Sequence, residues 1–216
     1  MGKAYLVLVD GQGVTLNELM HPLFGDERLA RIQRHQTPHM RIDSACAALA
    51  CLVAQKMAFG RIQRNLYYYG KNGKPYFADE NSGWLSLTHA AAVGACLIAP
   101  VMCGCDVEDL KRDLSRMEEK VRFRQQPEAE NTLAIWCVKE SYVKLTGEGL
   151  KRPFSGLQFS GRAILDEAGK HLAWANTGKI GRVQWAAALE REEELSVICM
   201  SAEEALNEIN SCVLPG

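Results

Sequence analysis

One stretch limits what this chain can fold into more than any other. Thr37 and Pro38 read as an N-cap followed by proline at the first helical position, and Gly60 reads as a stop. Between them the sequence predicts one unbroken helix running to about Phe59. Its larger apolar residues are Ile42, Leu49, Leu52, Val53 and Met57, with Ala and Cys filling the positions between. A helix lined in this way packs closely on another element, and the rest of the chain must supply it.

The candidates are short apolar runs. Ala4 to Val9 reads as a buried strand. Leu66 to Tyr69 is a short aromatic strand, and Gly70 to Pro75 after it has the composition of a turn. Trp84–His89, Val93–Ala99 and Cys103–Glu108 then follow at spacings that predict an antiparallel meander. Asp26–His35 has helical composition. In the second half the sequence predicts a charged helix over Lys111–Phe123 and a longer one over Glu128–Leu145, ended by Gly147 and Gly149. Strands are expected near Leu157–Phe159, Val183–Leu189 and Leu195–Met200, and Ser201-Ala202-Glu203-Glu204 is a capping-box start for a last helix.

The expected fold class is α+β, an α/β sandwich. It consists of two similar subdomains, residues 1–100 and 101–216, each with a long helix on a short, mostly antiparallel sheet, in a pseudo-twofold arrangement.

Charge and cysteine usage narrow the function. With 25 Lys and Arg against 26 Asp and Glu, a histone-like wrapper of nucleic acid is excluded. The balance is uneven along the chain. Residues 1–100 hold 10 basic against 7 acidic residues, and residues 101–216 hold 15 against 19. Between Arg28 and Lys74 nine basic residues face only Asp43, which suits a polyanionic ligand or an acidic partner. A nucleic-acid binder using this stretch would show steep salt dependence, but no nucleic-acid module is recognisable. Most of the eight cysteines sit in apolar company and none forms Cys-x-x-Cys. Thiols in a reducing cytoplasm are expected, with no membrane segment, since no apolar run approaches the ~20 residues that cross a bilayer. Gly11-Gln12-Gly13 after the first strand is not a dinucleotide fingerprint, because position 16 is Leu.

Four short segments could carry chemistry. On a strand through Gly104-Cys105-Asp106-Val107-Glu108, Asp106 and Glu108 point to one face. Two carboxylates on one face of an apolar strand are costly unless a cation joins them, and hard divalent ions take such oxygen ligands. The bland alternative is a solvated strand end. Trp136, Glu140 and Lys144 form a stripe on one helix, where the bland alternative is a Glu140–Lys144 surface pair contributing about 0.3–0.5 kcal/mol. Thr88-His89 closes a strand, where a lone His is more often structural. Gly73-Lys74-Pro75 is a turn where backbone and a cation can approach a ligand.

Together these segments resemble the phosphopantetheinyl transferases, in their larger, monomeric, surfactin-synthetase-activating type. The motifs run from about Arg41 to Leu150. Gly73-Lys74-Pro75 is similar to the family's Gly-Lys-Pro turn, and Leu85 to His89 to its Asn-x-Ser-His strand. Gly104 to Glu108 is similar to Gly-Ile-Asp-Ile-Glu. Trp136 to Leu150 is similar to Trp-x-x-Lys-Glu-x-x-x-Lys-x-x-Gly-x-Gly-Leu. Thr88 stands where the family has serine, and Cys105 where Ile or Val is common.

The resemblance implies transfer of 4'-phosphopantetheine from coenzyme A to a serine of an apo carrier protein, acyl or peptidyl. Adenosine 3',5'-bisphosphate is the other product. It implies that Asp106, Glu108 and Glu140 hold Mg²⁺, or Mn²⁺ in its place, and that Asp106, Glu140 and Lys144 carry catalysis, with Glu140 as the base, directly or through water. It places Arg41, Lys74, Pro75, Thr88, His89, Lys139 and Lys144 along the coenzyme, Arg41 at its 3'-phosphate and Lys74 and Pro75 at its adenine end. A monomer is expected. The alternative is a non-catalytic module on the same fold that binds coenzyme A or the carrier.

Overall fold

The computed structural model describes residues 2–64, 66–122, 131–149 and 153–211. It is a mixed α+β fold in which helices pack on mainly antiparallel sheets. The elements run β1 (Ala4–Asp10), α1 (Leu16–Leu19), α2 (Asp26–Arg34), α3 (Pro38–Phe59), β2 (Tyr67–Tyr69), β3 (Pro75–Phe77), β4 (Trp84–Ala90), β5 (Val93–Ala99) and β6 (Cys103–Asp109). They continue with α4 (Glu118–Val121), α5 (Thr132–Thr146), β7 (Leu157–Ser160), β8 (Ala163–Asp166), β9 (His171–Ile180), β10 (Val183–Leu189), β11 (Leu195–Ser201) and α6 (Ala202–Asn210).

The constraining helix forms as its ends dictate. Thr37 accepts a hydrogen bond from the Met40 N–H, Pro38 opens the first turn, and Gly60 closes it in the left-handed region at φ 67°. Every residue from Ser44 to Gln55 is buried. By length and composition its 22 residues could cross a bilayer, contrary to the expectation of no such stretch, and two-thirds of its most apolar window is buried inside the protein.

Two sheets explain why. The first has the order β11-β1-β5-β4 and the second β6-β10-β9-β8-β7; β2 and β3 form a separate hairpin. Helix α3 covers one face of the first sheet, packing Leu49 and Val53 with Val7, Val9, Cys96 and Ile98. The opposite face of that sheet, Leu6, Leu8, Ala95 and Leu97, meets Cys105, Val107, Trp185 and Ala187 of the second. Helix α5 covers the far side of the second sheet through Cys137, Val138 and Tyr142 against Ala173, Ala186 and Ala188. The layers are therefore helix, sheet, sheet, helix. Strands β5 and β10 are buried along their whole length because both of their faces are covered.

Three expectations change. The meander ends after β5: the turn at Pro100 sends β6 into the second sheet, where it pairs with β10. The charged helix over Lys111–Phe123 is only a 3₁₀ turn, Ser115–Met117, followed by α4; Phe123 itself, and the expected start of the next helix at Glu128, lie outside the described residues. The division at residue 100 fails at its far end. Strand β11 pairs in parallel with β1, and α6 packs Ala202, Ala205 and Ile209 into the core under α3, so residues 195–210 complete the first half. Strands β8 and β9 are additions, too polar or interrupted to read as strands. Six of the cysteines are buried, Cys199 is exposed and all seven are free thiols; Cys212 lies outside the described residues.

Candidate active site

The edge strands β4 and β6 lie side by side where the two sheets meet. Ser86 Oγ accepts from the Cys105 N–H at 3.0 Å, and the Cys105 thiol donates to the Ser86 carbonyl at 3.3 Å. On β6, Cys103, Cys105 and Val107 enter the layer between the sheets, so Gly104, Asp106 and Glu108 face α5, as alternation requires. Gly104 lets the helix come close: a methyl there would sit 2.0 Å from the Ser141 carbonyl oxygen and 2.4 Å from the Leu145 nitrogen. Helix α5 begins on Asn131, whose side chain accepts from the Leu133 N–H, and ends at Gly147 with φ 73°.

This approach brings Asp106, Lys144 and Thr88 together. Lys144 Nζ donates to Asp106 Oδ1 at 2.6 Å and to Thr88 Oγ1 at 3.0 Å, and Thr88 donates to the same Asp106 oxygen at 3.2 Å. The other carboxylate oxygen of Asp106, Oδ2, is buried with no hydrogen-bond partner among the described residues. The bland alternative of a Glu140–Lys144 surface pair gives way to a tighter pairing, because Lys144 reaches across to Asp106 on the strand. Burial opposes the charge on Lys144, but Asp106 more than offsets it and raises the ammonium above its ordinary range.

Glu108 is held from two sides. The Trp136 indole N–H donates to Oε1 at 2.8 Å, and the Arg112 guanidinium donates to the same oxygen. Glu140 is raised above the usual carboxylate range, first by burial and then by the charges of Asp106 and Glu108. Three carboxylates thus share one field. Their oxygen-only donor set, and the orphaned Oδ2 of Asp106, fit a hard divalent cation. Among the described residues they do not form a preformed three-ligand cluster. Lys144 and Arg112 hold two of them.

Next to this cluster is a cleft of about 280 Å³. Lys74, Pro75, Glu140 and Lys144 line it with Ser86 and Gly147. Lys74 is turned inward, its ammonium donating to the Leu145 carbonyl and lying 5.4 Å from the Trp84 ring centre; burial lowers its pKa. Asn72 donates to the Gly147 carbonyl at 3.1 Å. Those two bonds tie the turn before β3 to the end of α5.

His89 and Arg41 form a neighbouring group. The His89 ring meets His35 edge-on at 5.5 Å, and Arg41 Nε donates to the His35 carbonyl at 2.9 Å. Burial, then Arg28, His35 and Lys144, push His89 down to about 4.

One expected residue is elsewhere. Lys139 is fully buried, donating to the carbonyls of Val121 at 2.6 Å and Phe154 at 2.8 Å. It faces away from Glu140 round the helix and anchors α4 and the segment before β7 to α5. It is a structural cation, not a coenzyme contact. Leu150 of the motif lies outside the described residues. Arg112 had no signal in the sequence, because Glu108 lies near the end of a strand and Arg112 in the turn beyond it, where helical spacing does not apply. Ser86 had no signal beyond its hydroxyl.

Comparison with known proteins bears on the second half of the chain. Residues 102–199 match the family model of the 4'-phosphopantetheinyl transferase superfamily. That span carries Asp106, Glu108, Glu140 and Lys144 and ends within β11. No curated protein matches the chain.

Proposed function

We propose that this protein transfers 4'-phosphopantetheine from coenzyme A to a serine hydroxyl of an apo carrier protein, as one of the larger, monomeric transferases of this superfamily. The observation that carries the reading is the Lys144–Asp106–Thr88 cluster, with its orphaned carboxylate oxygen beside Glu140, inside the matched segment. Two helix-on-sheet halves in one chain support the larger type.

In this reading the cleft between the Gly73-Lys74-Pro75 turn and α5 takes the coenzyme, and Lys144, Thr88 and His89 lie along its phosphates. Lys144 keeps its charge through any working pH because Asp106 holds it, so it stabilises a pyrophosphate in ground and transition states alike. Asp106, Glu108 and Glu140 would hold Mg²⁺ or Mn²⁺, which when bound neutralises phosphate charge and orients the leaving group. A serine hydroxyl needs a base to attack at neutral pH. Glu140, which lines the cleft beside Lys144, serves as that base, directly or through a water. It takes the serine proton as the serine oxygen bonds to the pantetheine phosphorus, and the P–O bond to adenosine 3',5'-bisphosphate breaks. Arg28 and Lys74 are buried, but Arg34, Arg61, Arg64 and Lys71 of the same stretch are exposed and suit the acidic surface of a carrier.

The test is mass spectrometry of several apo carriers incubated with the protein, coenzyme A and Mg²⁺. One phosphopantetheine gained on a serine is expected, with Glu140→Gln slower by about 10²- to 10⁴-fold and Asp106→Ala inactive, both folded by circular dichroism. Calorimetric binding of coenzyme A with every carrier left unmodified would instead identify a binding module.

A further inference from the structure

The proposed mechanism leaves unused the pair of groups behind Glu108. Arg112 follows Glu108 by four residues, and its guanidinium both bonds Oε1 and lies 4.6 Å from the centre of the Trp136 ring. Trp136 itself bonds that oxygen through its indole N–H, and its ring packs edge-on against Phe154 at 5.1 Å. Glu108 is thus fixed by a planar cation that is itself fixed on an aromatic face, well within the ~6 Å reach of a cation–π contact. The side chain of Glu108 is 14% exposed and that of Arg112 36%. The carboxylate is withdrawn while the cation stands at the edge, free to swing out.

We infer that Arg112 is a built-in counter-cation that occupies Glu108 until a divalent ion displaces it, and so sets the affinity of the carboxylate site for metal. This rests on the reading of Asp106, Glu108 and Glu140 as a divalent-cation site. Counting charge shows the direction. Three carboxylates face Lys144 and Arg112, leaving one net negative charge. Lys144 cannot leave without stranding the buried Asp106, whereas Arg112 can move into solvent. Without Arg112 the site carries two net negative charges and attracts a divalent ion more strongly. The stack on Trp136 decides how firmly the cation is kept: a guanidinium lies flat on the indole and bonds Glu108 at the same time, which an ammonium does not reproduce. Arg112 is therefore a positioning residue and acts through Glu108.

The experiment titrates the full-length protein with Mn²⁺, with and without coenzyme A, and reads free Mn²⁺ by electron paramagnetic resonance. The expected result is that Arg112→Gln binds Mn²⁺ about three- to fivefold more tightly than wild type, the range that removal of a partly exposed ion-pair competitor gives. Arg112→Lys, which keeps the charge but not the stack, falls between the two and decides the matter if Arg112→Gln does not fold. Trp136 fluorescence shifts on metal binding in wild type, as Arg112 leaves the ring, and is unmoved by metal in Arg112→Gln. Affinity unchanged or weakened in the variants, with wild type binding normally, overturns the role of Arg112 alone. A wild type that takes up no Mn²⁺ under either condition overturns the metal site and the role of Arg112 with it.

Discussion

His89 shows at the scale of a residue what burying a titratable group among cations costs. Its pKa falls from 6.5 to about 4 in the folded protein, so it is neutral where the unfolded chain would already be protonated. A depressed pKa contributes stability above 6.5 that is lost as pH falls toward 4. His89→Gln should therefore flatten the decline of unfolding free energy between pH 6.5 and 4, measured by urea titration at several pH values. An unaltered slope would mean that another group drives the acid loss. Coenzyme phosphates beside the ring would favour the protonated form, so bound coenzyme A should also protect against acid in wild type but less in the variant. Which residues share a face at the candidate site was legible in the sequence: Asp106 and Glu108 alternate with Cys105 and Val107, and the α5 stripe is a matter of spacing. Their pairings were not. Whether Lys144 takes Glu140 on its own helix or Asp106 on a strand depends on how close the two elements come, which no local pattern encodes. Lys139 was misplaced for the same reason, since its carbonyl partners lie 18 and 15 residues away.

Between elements, closeness is set by two glycines. Gly104 seats α5 on β6, and Gly94 seats α3 on β5, where a methyl would lie 1.9 Å from the Ala47 nitrogen. In each case the obstructing atoms belong to helix backbone, which cannot turn aside as a side chain would. Gly104→Ala should lower stability by about 3 kcal/mol, the upper end of the usual overpacking range, and should slow transfer as α5 carries Glu140 and Lys144 outward. Urea unfolding and the transfer assay would show both; a fully stable Gly104→Ala would mean that the strand rather than the helix yields. Helix ends were readable because caps are local: Thr37, Gly60, Gly147 and the Ser201 box each act within one turn. The Lys111–Phe123 segment has helical composition but, among its described residues, only a short α4, because few of those residues reach a core: Leu114 and Val121 are the buried apolar ones.

Across the whole molecule, the two long helices and most strands could be read off, but not which sheet each strand joins. Strand β6 looks like a neighbour of β5 and belongs to another layer; β11 follows β10 and pairs with β1. Deleting residues 195–216 should thus damage the first half, although the cut lies in the second. We expect the truncated chain to be insoluble or to lose its cooperative thermal transition, read by circular dichroism. A soluble truncation that melts sharply would show β11 to be dispensable. The β1–β11 pairing also sets a timetable for biosynthesis. Ala4 waits for Leu195, so at 5–20 residues per second roughly 10–40 s pass between their emergence from the ribosome. Once Val93–Ala99 has emerged, β1 has β5 on one side and, until β11 arrives, a bare apolar edge on the other, open to pairing with other nascent chains. Crowded polysomes are then a place where this protein is exposed to aggregation, and a chaperone that shields that one edge would raise its yield without touching the finished fold.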